Sequence, residues 1–173
     1  MPKLIEILLP EFEEEMANTR KLLDRVPEDH FDYKPHPKSM SLGRLATHIA
    51  ELPRWIKNTL ELEVLERTSD FKPNIAKSRH EILEIFDNNV SEGRKALSAA
   101  TEEELTKTWT FKFNGQVVLS MPRFKVLRIL FLNHLIHHRA QLGVYLRENN
   151  IEIPGMYGPS ADEMKFVEKA QAS

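Results

Sequence analysis

The chain has 173 residues, enough to bury a core as one domain over 1–173. Lys and Arg total 24 against 26 Asp and Glu, a net charge of -2 without a basic run, which argues against a nucleic-acid partner. Cysteine is absent, which excludes disulfides, thiolate ligands and a cysteine nucleophile, and no apolar run reaches the roughly 18 residues of a membrane span.

The opening Met1-Pro2-Lys3-Leu4-Ile5-Glu6 lacks a signal-peptide pattern, because Glu6 and Pro10 interrupt the apolar run; a cytoplasmic setting is expected. Leu4, Ile5, Leu8, Leu9, Phe12, Met16, Leu22 and Leu23 predict a first helix from about Lys3 to Arg25. Pro10 should either kink that helix or begin it. The run Glu13-Glu14-Glu15 reads as a solvated face, and the stretch with Pro27, Pro35 and Pro37 as a loop.

A second helix is predicted from a cap at Ser39 or Ser41 through Leu42, Leu45, Ile49, Leu52, Ile56 and Leu60. Pro53 removes the backbone bond to the Ile49 carbonyl, so a kink or irregular turn is expected just after His48. A loop with Thr68, Ser69, Asp70 and Pro73 leads to a third helix, about Ala76 to Ala100, with Ser78 as its cap. Thr101-Glu102-Glu103-Glu104 is a capping-box pattern that opens one short turn. Alternating aromatic and β-branched residues on either side of Asn114-Gly115 predict a β-hairpin near 108–120. Pro122 opens a fourth helix running to about Asn149, and the remainder, with Pro154, Gly155, Gly158 and Pro159, is a loop ending in a polar tail. Four amphipathic helices with one hairpin describe an all-α fold of the helical-bundle type.

The fourth helix carries Asn133-His134-Leu135-Ile136-His137-His138-Arg139-Ala140-Gln141. At about 100° per residue, Phe131, His134, His138, Gln141 and Tyr145 fall within about 40° of Leu127, which places His134 and His138 mid-stripe. Two imidazoles one turn apart can share one ion, and neutral imidazoles suit zinc, nickel, copper or iron. His48 lies about 60° to one side of the stripe on its own helix, a position that can face a neighbouring helix. Spacing leaves two readings open: a metal shared by the three, or core histidines bonded to carboxylates or carbonyls. His137, about 80° off, reads as a packing or hydrogen-bonding residue, and His30, His36 and His80 as surface residues.

Other candidates surround this set. Glu51 could orient an imidazole or act as a base, against a solvent-facing alternative. Gln141 suits support of His138 or an interhelical bond. Arg139 could bind an anionic group or pair with a surface acid. Trp55 and Tyr145 could line a pocket or belong to the core. The absence of a glycine-rich phosphate loop and of Gly-x-Ser-x-Gly removes the simple nucleotide and serine-hydrolase readings.

Lys34-Pro35-His36-Pro37-Lys38-Ser39-Met40-Ser41-Leu42 leading into Leu45-Ala46-Thr47-His48 resembles the DinB-like superfamily of metal-binding four-helix-bundle proteins. So do His134-Leu135-Ile136-His137-His138-Arg139-Ala140-Gln141-Leu142 and Pro154-Gly155-Met156-Tyr157-Gly158-Pro159. The resemblance implies an up-down-down-up four-helix bundle whose crossover uses the Glu66–Ala76 loop or the hairpin region. It also implies that His48, His134 and His138 are the ligands, that the ion is zinc or nickel, and that the chain forms a homodimer. The family's name, which refers to induction after DNA damage, gives no ground for DNA binding. Characterised relatives include metal-dependent transferases and isomerases that use low-molecular-weight thiols, acting on small-molecule substrates.

Three functions follow as expectations. The first is a metal-dependent thiol transferase, which a cysteine-free chain fits because the thiol then comes from a small molecule. The second is a hydrolase using metal-bound water, and the third a non-catalytic metal-binding stress-response protein. A purely structural site would usually have four protein ligands, and only three are evident.

Overall fold

In the computed structural model, which describes residues 3–164, helices dominate and a small mixed sheet accompanies them. Helix α1 spans Leu4–Leu23 and carries Pro10 in its interior, so the proline neither begins nor ends it. Its buried stripe includes Leu8, Phe12 and Met16. Glu15 departs from the expected solvated acidic face: it is buried, for a reason given below, whereas Glu13 reaches a surface pair with Arg94. A short 3-10 turn, Glu28–His30, follows.

The second expected helix is two. Helix α2 is Leu42–Glu51 and α3 is Arg54–Glu61, and the break falls at Leu52-Pro53 instead of directly after His48. The cause is local: Pro53 has no N–H, and the Ile49 carbonyl accepts instead from the Leu52 N–H at 3.2 Å, a tighter turn. Ser41 is the cap, its hydroxyl accepting from the Arg44 N–H at 3.3 Å.

Strand β1, Val64–Arg67, occupies part of the expected loop. It pairs in parallel with β2, Thr108–Phe113, which pairs antiparallel with β3, Gln116–Pro122. The hairpin is therefore two-thirds of a three-stranded sheet, ordered β1-β2-β3. Asn114 and Gly115 take φ of 47° and 77°, the positive pair that a two-residue hairpin turn needs. Helix α4, Arg79–Ala99, lies between β1 and β2 in sequence, and Ser78 caps it by accepting from the Glu81 N–H. The Thr101 capping box forms as expected and opens α5, Glu102–Thr106.

The last long helix is interrupted too. Helix α6, Arg123–Val126, passes into a π-helical stretch, Leu127–Asn133, and then α7, His134–Glu148. A wide turn inserts extra residue into the spiral and rotates everything downstream. Thus the buried line runs Leu127, Phe131, Leu132, Leu135, Arg139, Leu142 and Leu146. His134, His138 and Gln141 flank it, half-buried, where an uninterrupted helix would have put them mid-stripe.

Helix α4 packs on α1, α2 and α3, while α7 packs on α1 and α2. Phe12, Leu45, Ile49, Ile56, Ile82, Phe86, Phe131, Leu135 and Leu142 fill the space between, each worth about 1.5–3 kcal/mol on full burial. Trp109 anchors the sheet to this core: it is fully buried and its Nε1 donates to the Asn58 carbonyl at 3.3 Å. No helix among the described residues is long and apolar enough to cross a membrane. The polar tail beyond residue 164 lies outside the described residues.

Candidate metal centre

Helix α2 presents His48, and the first two turns of α7 present His134 and His138, so the three rings meet where these helices pack. The His134 and His138 Nε2 atoms are 2.8 Å apart, and those of His48 and His134 are 3.4 Å apart. One donor atom from each ring lies within 4.8 Å of the other two, and this is the one such group of three among the described residues.

Tautomers decide what that convergence means. Nδ1 of His138 is 2.7 Å from Gln141 Oε1, which only accepts, so the His138 proton sits on Nδ1 and its Nε2 carries a lone pair. Nδ1 of His134 faces the Leu130 carbonyl at 3.4 Å, which fixes the same tautomer more weakly. With both protons on Nδ1 the two Nε2 lone pairs face each other across 2.8 Å, whereas the other His134 tautomer would donate a hydrogen bond to His138 Nε2. A cation between them removes the repulsion, and an imidazole whose other nitrogen is held by a carbonyl is the usual form of a metal-ligating histidine.

The rings also stay neutral. Burial, followed by the fields of His138, His134, Arg44 and Arg67, lowers the His48 pKa to about 3. Burial is likewise the main cause lowering His134 and His138, opposed by their bonds to Leu130 and Gln141. Neutral imidazole is the form that binds metal. Metal–nitrogen bonds of about 2.0–2.1 Å at tetrahedral angles put ligand nitrogens roughly 3.3 Å apart, so the 3.4 Å pair is at that spacing and the 2.8 Å pair is tighter. The donor set and its geometry fit a divalent ion.

Beside the histidines lies a cleft of about 130 Å³, lined by Arg44, His48, Glu51, Trp55, Arg67 and His134 among others. Glu51 is therefore at the site, 3.4 Å from Arg44 Nη1. Trp55 lines the cleft as well, packed at 6.0 Å on Trp109 and 5.9 Å on Phe111. Gln141 acts on His138 as described.

The structure separates three other candidates from this place. Tyr145 is buried, its hydroxyl donating to the Met40 carbonyl at 3.4 Å and its ring packed edge-on against Tyr33. His137 is exposed, with its ring 5.0 Å from that of His138, and among the described residues its side chain makes no hydrogen bond. Arg139 points to α1. Its guanidinium meets Glu15 at 2.6 Å, Thr19 Oγ1 at 3.0 Å and the Tyr157 hydroxyl at 2.5 Å, while the Tyr157 hydroxyl donates to Glu15 Oε1 at 2.7 Å. It pairs with an acid, as one reading had it, but in the interior. Of the expected surface histidines, His36 and His80 are exposed and His30 is half-buried beside Asp29.

Arg67 was missed from the sequence, because its place depends on the pairing of β1 with β2. The alternation in Val64-Leu65-Glu66-Arg67 was the available signal, but it is too short to separate a strand from a loop.

The fold and the three-histidine cluster define a helical protein with a candidate metal centre between its helices. The chain belongs to the DinB family, whose model matches residues 1–171. It is 25% identical over 171 residues to the uncharacterized protein YrdA of Bacillus subtilis (strain 168), covering 94% of this chain and 93% of that one. It is similar to the crystal structure of a DinB-like protein from Bacillus cereus ATCC 10987, with a TM-score of 0.69 and 28% identity over 88% of this chain and 97% of that one. The DinB-like protein YjoA of Bacillus subtilis shares the fold, with a TM-score of 0.64 and 21% identity over 86% and 96% of the two chains.

Proposed function

We propose that His48, His134 and His138 hold one divalent metal ion, zinc or nickel, in an open site, and that the chain is a metal-dependent enzyme of the thiol-transferase type. The observation that carries the proposal is the convergence of one donor atom from each of three half-buried imidazoles within 4.8 Å of one another, with the His138 Nδ1 2.7 Å from Gln141 Oε1. Three protein ligands leave positions free, as catalytic sites do. An ion bound there would supply Lewis acidity that lowers the pKa of a thiol or water molecule placed on it.

The chain's own residues supply the rest. Having no cysteine, it takes any reacting thiol from a small molecule. Gln141 holds the His138 ring in register, and the cleft next to His48 and His134 gives the small-molecule substrate its approach. Glu51, steadied by Arg44, is on the cleft wall to take the proton released there. That carboxylate also favours a second reading, a hydrolase in which Glu51 serves water instead of thiol. A non-catalytic metal-binding stress protein is the third, and the open cleft weighs against it. The proposal extends to a cytoplasmic homodimer with up-down-down-up connectivity of its four main helical runs.

Cobalt-loaded protein tests the reaction class. Addition of 2-mercaptoethanol, cysteine or glutathione should produce a thiolate-to-cobalt charge-transfer band in the near ultraviolet. A thiol panel that leaves the cobalt spectrum unchanged would refute the transferase reading and leave the hydrolase.

A further inference from the structure

The cleft beside the three histidines is positively charged. Arg44 from α2, Arg54 from α3 and Arg67 from β1 line it, against one carboxylate, Glu51, among the described lining residues. Arg44 is matched with Glu51. Arg54 and Arg67 have no carboxylate at ion-pair distance among the described residues.

Arg67 is the more informative of the two. Its guanidinium lies 4.2 Å from the Phe71 ring centroid and 5.4 Å from that of Trp55, so two aromatic faces hold it in place. It is half-buried, and a desolvated cation without a counter-charge is costly unless a partner arrives. Burial first, then the neighbouring Arg54, lowers its pKa, with Glu51 opposing, which records the same unmet charge. A guanidinium held between rings keeps its edge N–H groups for a planar or tetrahedral oxyanion, the geometry that two-point binding uses.

Size narrows the ligand. The cleft, at about 130 Å³, is well under the roughly 300–1,000 Å³ of sites for drug-sized molecules, so it takes one end of a small molecule. We infer that Arg67, assisted by Arg54, binds the carboxylate or phosphate group of a small anionic substrate and turns its reacting end toward His48 and His134. The inference rests on the metal-site reading for the identity of the reacting end. The anion subsite itself stands on the arginines alone.

The test uses full-length protein stripped of metal by a chelator, at constant ionic strength. Inorganic phosphate and succinate are titrated separately while tryptophan fluorescence is followed, since Trp55 lines the cleft. At least one anion should bind saturably, and the tighter of the two identifies the group. Arg67→Gln should weaken it by about tenfold or more, and Arg54→Gln by less. Arg94→Gln, a surface arginine paired with Glu13, should leave it unchanged. His138→Ala, outside the cleft lining, should retain anion binding while losing metal, which separates this inference from the metal reading. Equal affinity in wild type and Arg67→Gln, equal loss in Arg94→Gln, or no saturable binding of either anion would overturn it.

Discussion

Two polar clusters sit within the helical body, both involving α7, and they differ in what they leave undone. At the junction of α1 and α7, Arg139, Glu15, Thr19 and Tyr157 close on one another, with Arg139 3% and Glu15 6% exposed. At the junction of α2 and α7, the three histidines are half-buried and turn their Nε2 atoms toward each other, next to a cleft with surplus positive charge. The first cluster pairs Arg139 with Glu15 inside the fold, leaves Glu15 Oε2 with that ion pair but no hydrogen bond among the described residues, and fixes the segment around Tyr157 to α1 and α7. The second brings three imidazole donor atoms together in a geometry compatible with a shared metal ion. Deep burial around an ion pair suits the first cluster to holding elements together, and half-buried donors beside an open cleft suit the second to meeting a ligand.

Arg139→Ala should have the largest effect, about 3–5 kcal/mol of lost stability in denaturant unfolding, because it leaves Glu15 buried without its counter-charge. Joining Glu15→Leu to Arg139→Met should recover much of that loss; a double variant no better than Arg139→Ala would deny the closed pair.

Acid acts on the other cluster. In metal-free protein the unfolded His48 takes a proton near its ordinary pKa of 6.5, while the folded form resists until about 3. The unfolded state thus binds more protons in that window, so stability should be full above about 6.5 and fall as pH drops toward 3. His134 and His138, also lowered, act in the same direction. Unfolding free energies that stay flat from pH 7 to 4.5 after subtraction of a His48→Gln control would contradict the neutral, buried rings.

Gln141→Ala should reduce metal affinity by about 10- to 100-fold without removing the site, since it frees the His138 ring and its tautomer. An unchanged affinity would mean that the carbonyl contact does not orient the ligand. The smallest effect is expected from His138→Ala in metal-free protein, within about 1 kcal/mol of wild type. A loss as large as that of Arg139→Ala would erase the distinction between the clusters.

Local chemistry was readable from the sequence, and long-range pairing was not. Ser41, Ser78, Thr101 and Asn114-Gly115 each act through neighbours a few residues away, and each does what its spacing predicts. The His134 and His138 pair was legible for the same reason. Its position relative to the core was not, because the π-helical stretch before it rotates α7, and nothing in Leu127-Arg128-Ile129-Leu130-Phe131-Leu132-Asn133 announces a wider turn. Glu15 read as solvated because its partner lies 124 residues away, and Arg67 read as loop because β1 exists only through β2.

Calorimetric titration of chelator-stripped protein with zinc, beside His48→Ala and the double variant His134→Ala/His138→Ala, decides whether these three histidines hold the metal. The wild type should show one tight site per chain and the double variant none, with severe weakening in His48→Ala. One tight site per chain persisting in the double variant would contradict that assignment.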